Sequence, residues 1–392
     1  MSDALMHTYA RADLAFERGE GPYLFTADGR RFLDFAAGIA VNALGHSHPH
    51  LVKTLQEQGA KLWHVSNLYQ IPEGRRLAER LVAHSFADQA FFCNSGAEAI
   101  EGALKIARRY HYTHGQPEKM RVLSCRGSFH GRTLTTLSAA GNPKYLEGAG
   151  PVAEGFDIVP FGNMNELRNA ITPETGAVLV EPIQGEGGVR AADLDYLRAL
   201  RAVCDEYGML LVLDEIQCGM GRTGKLFAYE WAGITPDVMA LAKGLGGGFP
   251  IGAILATREA ASGLAPGVHG TTFGGNPLAM AVANAVLDVM LAPDFLPHVE
   301  RIGKLLRKRL EDLAARFPHV IAEVRGAGLM IGLKCVVTNT DLVAKLRDEG
   351  LLTVGAAENV VRLLPPLIIE ERQVDEAVQS LERACSAIAK AA

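Results

Sequence analysis

Several things are scarce in this 392-residue chain, and each scarcity excludes a class of protein. Its six cysteines (Cys93, Cys125, Cys204, Cys218, Cys335 and Cys385) are scattered, with no CxxC pair. That spacing offers neither a zinc knuckle nor a disulfide framework, and it predicts reduced thiols that mostly fill the core. There is no cationic excess: 39 Lys and Arg stand against 44 Asp and Glu, for a net charge of −5. No basic field is therefore available for nucleic acid or an anionic membrane. Long apolar runs are missing too. Stretches such as GMLLVLD are of strand length, far short of a bilayer span. The start, MSDALMHTYARADLAFERGEGPY, carries no apolar stretch of the kind a secretory leader needs, so a cytoplasmic location is expected. No internal repeat and no low-complexity linker interrupts the chain.

What is present is the balance of a globular protein, 48% hydrophobic and 21% charged. The length exceeds one simple core, so a large domain with a smaller one is expected. Short apolar runs alternate with helical patterns. AFFCN precedes AEAIEGALKIARRYHY; RVLSC and GAVLVEP follow. LDYLRALRAVCDEYG reads as a helix ending at glycine, then MLLVLDE, PDVMALAK and GAILAT read as strands. This alternation predicts an α/β domain with a mostly parallel sheet flanked by helices. After it, PHVERIGKLLRKRLEDLAARF is an amphipathic helix among mixed strands and helices, a smaller α+β unit. The N-terminal GPYLFTADGRRFLDFAAG reads as a hairpin that turns at ADGR. The expected boundaries are 1–58 for an N-terminal segment packing with the small domain, 59–290 for the large domain, and 291–392 for the small one.

The residues with chemistry to offer fall in one kind of place. Glu181, Asp214 and Lys243 each end an apolar strand, the edge where open α/β sheets bind ligands. Lys243, before GLGGG, admits three readings: a phosphate clamp, a surface loop residue, or a nucleophilic amine. In NSGAEA, Ser95 and Glu98 have the spacing of a capping box. The small residues Gly96 and Ala97 would let an anion approach the free N–H groups of that helix start. FHGRT adds a flat ring at Phe129 or His130 and a guanidinium at Arg132. A phosphate seat, a carboxylate, an amine and an aromatic plate together fit pyridoxal 5′-phosphate.

Three other patterns carry less. GMGRTG (219–224) spells a dinucleotide fingerprint, but DEIQC separates it from its strand and no good helix follows. GMGRTGKL nearly spells a P-loop, but Leu226 stands where Ser or Thr must hold magnesium. A nucleotide-binding regulator built on that segment is the alternative from a different class. His46, His48 and His50 alternate in GHSHPH, yet no Cys or acid at ligand spacing completes a metal site, so no metal is expected there and a loop at the domain junction is. Arg362 lies inside an apolar strand, where an unpaired charge is costly, so a partner is expected, either Glu186 or a substrate.

Taken in order, GIAVNALGHSHP, NSGAEA, FHGRT, EPIQGEGG, LDEIQCGMGRTG, AKGLGGGFPIGA, HGTTFGGNPLA and NVVRLLPPL resemble the motifs of class III (ω-) aminotransferases, which are fold-type I pyridoxal-phosphate enzymes. The resemblance spans nearly the whole chain and is strongest to members acting on the terminal amine of N2-acetylornithine, in arginine biosynthesis. It implies a ping-pong transfer to 2-oxoglutarate, giving glutamate, through a Schiff base on Lys243, with Asp214 at the pyridinium nitrogen. It implies Ser95, Gly96 and Ala97 at the phosphate, Phe129 on the ring face and Gln217 at the ring hydroxyl. It assigns Arg132 and Arg362 to substrate carboxylates, Glu186 to modulating Arg362, and Thr271 to the substrate region, where many members carry serine. Thr272 would reach the phosphate of a neighbouring subunit, which implies a homodimer with sites at the interface. Succinylornithine, ornithine, N-succinyl-diaminopimelate and 4-aminobutyrate remain alternative donors.

Overall fold

The computed structural model describes residues 4–391. The alternating runs become a seven-stranded sheet: β1 (Gln89–Cys93), β2 (Arg121–Cys125), β3 (Phe156–Val159), β4 (Thr175–Val180), β5 (Leu210–Asp214), β6 (Val238–Leu241) and β7 (Gly252–Ala256). Their order is β1-β7-β6-β5-β4-β2-β3. All neighbours are parallel except β7, which runs antiparallel to both β6 and β1. Every residue of β4, β5, β6 and β7 is buried. Such strands are covered by helices on both faces and so read as unbroken apolar runs.

The helices start and stop where their sequences direct. α1 (Gly96–Thr113) is capped by Ser95, whose Oγ accepts the Glu98 N–H at 3.2 Å. α2 (Leu194–Tyr207) ends on Gly208 in the left-handed region, φ 61°, a conformation glycine adopts without a Cβ penalty. α3 (Pro277–Met290) opens with Asn276 as its cap and proline at its first position, and it is buried nearly all round. α4 (Phe295–Arg316) buries Val299, Ile302, Leu306, Leu310 and Leu313, one stripe of an otherwise polar helix.

Two smaller four-stranded sheets flank this core. Tyr23–Phe25 and Arg31–Asp34 form the expected N-terminal hairpin about ADGR, and Arg18–Glu20 adds a third antiparallel strand. Leu351–Leu352 adds a parallel strand beside Arg31–Asp34, so the two chain ends share a sheet. The other sheet joins Ile321–Ala327, Met330–Cys335, Val360–Leu363 and Val354–Ala356. The GMGRTG segment is a run of turns whose Arg222, 2% exposed, donates to the carbonyls of Leu329 and Pro365. It ties the large sheet to this smaller one. All six cysteines are buried and unpaired. His46 and His50 bond Asp34 and Asp288 respectively, at 2.8 and 2.9 Å.

Candidate active site

Sheet register gathers the polar strand ends. Val180 pairs with Leu213, and Asp214 with Ala240, so Glu181 and Asp214 come level at one edge, and Lys243 follows just beyond the end of β6 at that same edge. They open onto a cavity of about 430 Å³, which Ser95, Gly96, Ala97, Phe129, Arg132, Glu186 and Gln217 also line. Ten of the twelve residues to which the resemblance gives a role thus bear on one place: nine line it directly, and Arg362 does so through Glu186 and Gln217. Thr271 and Thr272 do not line it. Thr271 Oγ1 accepts from Asn94 Nδ2 and Gly274 N–H, at 3.2 and 3.1 Å, just behind the start of α1. Thr272 is exposed on the surface.

Lys243 follows β6 in the left-handed region, φ 43°, a conformation that costs a non-glycine residue energy and persists only where its surroundings impose it. It has no ion-pair partner among the described residues. Burial holds its ammonium below the ordinary value; the carboxylates of Asp214, Glu186 and Glu181 oppose that, and the Arg362 charge reinforces it. The result favours a neutral amine, the nucleophilic form. Asp214 is 3% exposed. Its Oδ2 meets His130 Nδ1 at 2.8 Å and its Oδ1 accepts the Ile216 N–H at 3.1 Å. His130 is itself buried, with Nε2 unpartnered among the described residues. Glu181 accepts the Phe129 N–H at 3.1 Å; burial, then the Asp214 charge, pushes its carboxyl well above the ordinary range.

At the other end, α1 presents its first N–H groups to the cavity. Small residues there are a steric requirement. A Cβ on Gly96 would lie 2.9 Å from Ile216 Cδ1, and one on Gly131 would lie 2.8 Å from Ala97 Cβ. The capping box differs from expectation in its second half. Glu98 bonds the N–H and side chain of Asn94, at 2.7 and 3.1 Å, rather than the Ser95 N–H. Ser95 keeps a hold on the same carboxylate through its hydroxyl, which donates to Glu98 Oε2 at 3.2 Å.

Two guanidiniums complete the site, in opposite states. Arg362, 1% exposed, donates to Glu186 at 2.6 Å, to Gln217 at 3.4 Å and to the Gly355 carbonyl at 3.1 Å, leaving Nε without a partner among the described residues. Arg132 is exposed, lies 3.8 Å over the Tyr145 ring and 5.1 Å over Phe129, and pairs with no acid among the described residues.

These features fit the group the sequence calls for. A buried amine without a counter-ion, an anion seat at a helix start and an inward carboxylate braced by His130 match an aldehyde, a phosphate and a protonated ring nitrogen in turn. Sequence reading passed over Tyr145, which lies in a four-residue helix with no pattern to mark it, and the His130–Asp214 bond, which only register reveals.

The family model for class-III aminotransferases matches residues 6–385. The acetylornithine aminotransferase of Brucella melitensis is 61% identical over 380 residues, 97% of this chain and 94% of that one. Acetylornithine aminotransferase 1 of Bradyrhizobium diazoefficiens is 60% identical over 384 residues, 98% and 95% of the two chains. Among solved structures, the ornithine aminotransferase of Toxoplasma gondii superposes with a TM-score of 0.95 at 31% identity, covering 99% of this chain and 94% of its own. The N-acetylornithine aminotransferase of Stenotrophomonas maltophilia gives 0.86 at 40% identity, covering 98% of both.

Proposed function

The chain belongs to the class-III aminotransferases, and on that footing we propose that it moves the terminal amine of N2-acetylornithine to 2-oxoglutarate, in arginine biosynthesis, with pyridoxal 5′-phosphate held in the cavity around Lys243. The observation that carries this reading is the Lys243 amine, buried at the strand edge between an inward carboxylate and a helix start. When bound, the cofactor supplies the electron sink that stabilises charge on the substrate carbon.

The rest falls to the chain. Ser95, Gly96 and Ala97 would hold the phosphate at the positive end of α1, Phe129 the ring face, and Gln217 the ring hydroxyl. Asp214 would hold the protonated ring nitrogen, and its bond to His130 fixes the carboxylate's orientation. Lys243 serves as nucleophile and then as the group that moves the proton, roles a depressed ammonium pKa suits. Arg132, with no acid partner among the described residues, takes the carboxylate remote from the reacting carbon in both substrates. Arg362 takes the α-carboxylate of 2-oxoglutarate or glutamate only, and Glu186 masks it otherwise. Both substrates use the one site in turn.

In this reading residues 59–290 form the cofactor domain, while 1–58 and 291–392 supply the smaller one. The protein works in the cytoplasm as a homodimer in which Thr272 reaches the partner's phosphate. Support for the dimer comes from Thr272 being exposed and from the apolar side chains Trp63, Leu68, Tyr69 and Phe273, each more than 60% exposed in the single chain. The deciding experiment is a panel of donors with 2-oxoglutarate. N2-Acetylornithine should give the highest kcat/KM; a higher value for succinylornithine, ornithine, N-succinyl-diaminopimelate or 4-aminobutyrate would reassign the donor.

A further inference from the structure

A second cavity, of about 420 Å³, lies outside the site just described. One wall is Pro182, Ile183, Ala191 and Ala192 beside Leu197 of α2; the opposite wall is α4, with Gly303 packed against the Gly328 backbone. The lining is aliphatic but for a few groups in particular places. Trp231 presents its indole, the edge fixed by an Nε1–H bond to Thr223 Oγ1 at 3.1 Å. Along α4, Glu300, Lys304 and Arg307 line one side, with Lys304 paired to Glu300 at 2.5 Å. Arg307 is anchored to the carbonyls of Val324 and Gly326, and its contact with Glu311 is long, at 3.4 Å. Within the lining, two cations therefore face one carboxylate, and Arg307, whose acid partner Glu311 lies outside the lining, is held in place by backbone. Lys225, 5.2 Å over the Trp231 ring, adds to the same sign.

We propose that this cavity is a second small-molecule site, for an anion with an apolar, preferably aromatic, body. An apolar chamber with a few convergent polar groups is the usual form of such a site. The indole supplies a face for a ring. A guanidinium already immobilised loses little entropy on meeting an anion. Its position also matters. Pro182 follows Glu181, so one peptide bond separates the two cavities. The Ile183–Gln184 and Arg190–Ala191 strands, whose base lines the second cavity, carry Glu186 at their tip in the first.

The test uses cofactor-loaded enzyme and the dye 1-anilinonaphthalene-8-sulfonate, whose linked aromatic rings and single sulfonate have this chemistry. With saturating 2-oxoglutarate present, fluorescence should titrate to one site per chain. The uncharged N-phenyl-1-naphthylamine should bind at least about tenfold more weakly. Ala191→Trp, at an exposed strand position, fills the cavity and should weaken the dye at least about tenfold. Lys304→Glu, on an exposed helix face, reverses the excess charge and should weaken it similarly while leaving turnover unchanged. Circular dichroism and melting temperature check that both variants fold. The proposal is overturned if both variants bind the dye as the parent does, if 2-oxoglutarate displaces it, or if the uncharged dye binds equally well. The variant arms do not depend on the donor, so they stand even if the proposed substrate is wrong.

Discussion

Replacing Glu186 by alanine should change which substrate the enzyme prefers rather than how well it performs chemistry. Among the described residues, Glu186 Oε1 is the only formal negative charge bonded to Arg362, at 2.6 Å. What remains after its removal is Gln217 at 3.4 Å and one backbone carbonyl, around a guanidinium that is 1% exposed. Stripping a buried charge of its partner costs about 3–5 kcal/mol. The Glu186 side chain is 32% exposed, so water in the cavity screens the pair, and about 2 kcal/mol is the better figure. In the parent, an incoming α-carboxylate must displace Glu186, one anion exchanging for another, with little net gain. In Glu186→Ala it meets a waiting cation. About 2 kcal/mol corresponds to roughly thirtyfold in affinity, and incomplete alignment should leave at least about tenfold. The glutamate half-reaction should gain by that factor in kcat/KM. The acetylornithine half-reaction places no carboxylate near Arg362 and should stay level or decline. Single-turnover absorbance of the holoenzyme, with each donor alone, separates the two. Glu186→Gln, which keeps an uncharged acceptor, should fall between. If Glu186→Ala moves both half-reactions by one factor, the masking argument is wrong and the loop only shapes the cavity.

Lys243→Ala should lower turnover by more than about 10⁴-fold, and borohydride-treated parent enzyme should carry the cofactor's mass on Lys243 alone; a label on another lysine would reassign the nucleophile. Asp214→Ala should weaken cofactor retention on gel filtration and slow the first half-reaction by about 10²–10³-fold, because it removes the ring-nitrogen partner and also frees His130. Mixing Lys243→Ala with a badly impaired Thr272→Ala should restore some activity, since one site of each mixed dimer would then carry neither lesion; verified subunit exchange without regain would show that Thr272 serves its own chain. Glu181→Gln should keep the bond from Phe129 N–H and stay within about threefold of parent activity at neutral pH. The folded carboxyl is raised, so above pH 4.5 the folded chain holds a proton that the unfolded chain has released. The parent therefore loses stability as pH rises toward that raised value. The Gln variant should not, and a melting-temperature gap independent of pH would contradict the assignment.

The large sheet was legible because parallel strands buried on both faces leave unbroken apolar runs, and because glycine and capping residues punctuate them: Ser95 before α1, Gly208 after α2, Asn276 and Pro277 at α3. The direction of β7 was not. GAILA is as apolar as its parallel neighbours, and only the short GLGGGFPI connection before it, too brief for a crossover helix, hints that the chain doubles back.

The site divides on similar physical lines. Residues tied to the cofactor sit at strand ends or helix starts, positions that composition marks in the sequence, and so Lys243, Asp214, Ser95, Gly96 and Ala97 could be found one at a time. Their mutual arrangement depends on register, which no single segment encodes. Pairing Val180 with Leu213 and Asp214 with Ala240 brings three strand ends to one level; a slip of one residue along β5 would turn Asp214 to the opposite face of the sheet. The substrate-facing groups depend still more on distant contacts. Arg362 lies in a strand of the smaller sheet and meets Glu186 only because the Glu186 carbonyl accepts the Ala357 N–H at 2.9 Å, which pins that loop beside the strand. Tyr145 reaches Arg132 from a helix too short to show periodicity. Where a residue's role requires only its own backbone setting, the sequence carries it. Where the role requires a partner from another sheet, it becomes visible only in the folded chain, and the masking of Arg362 by Glu186 is of that second kind.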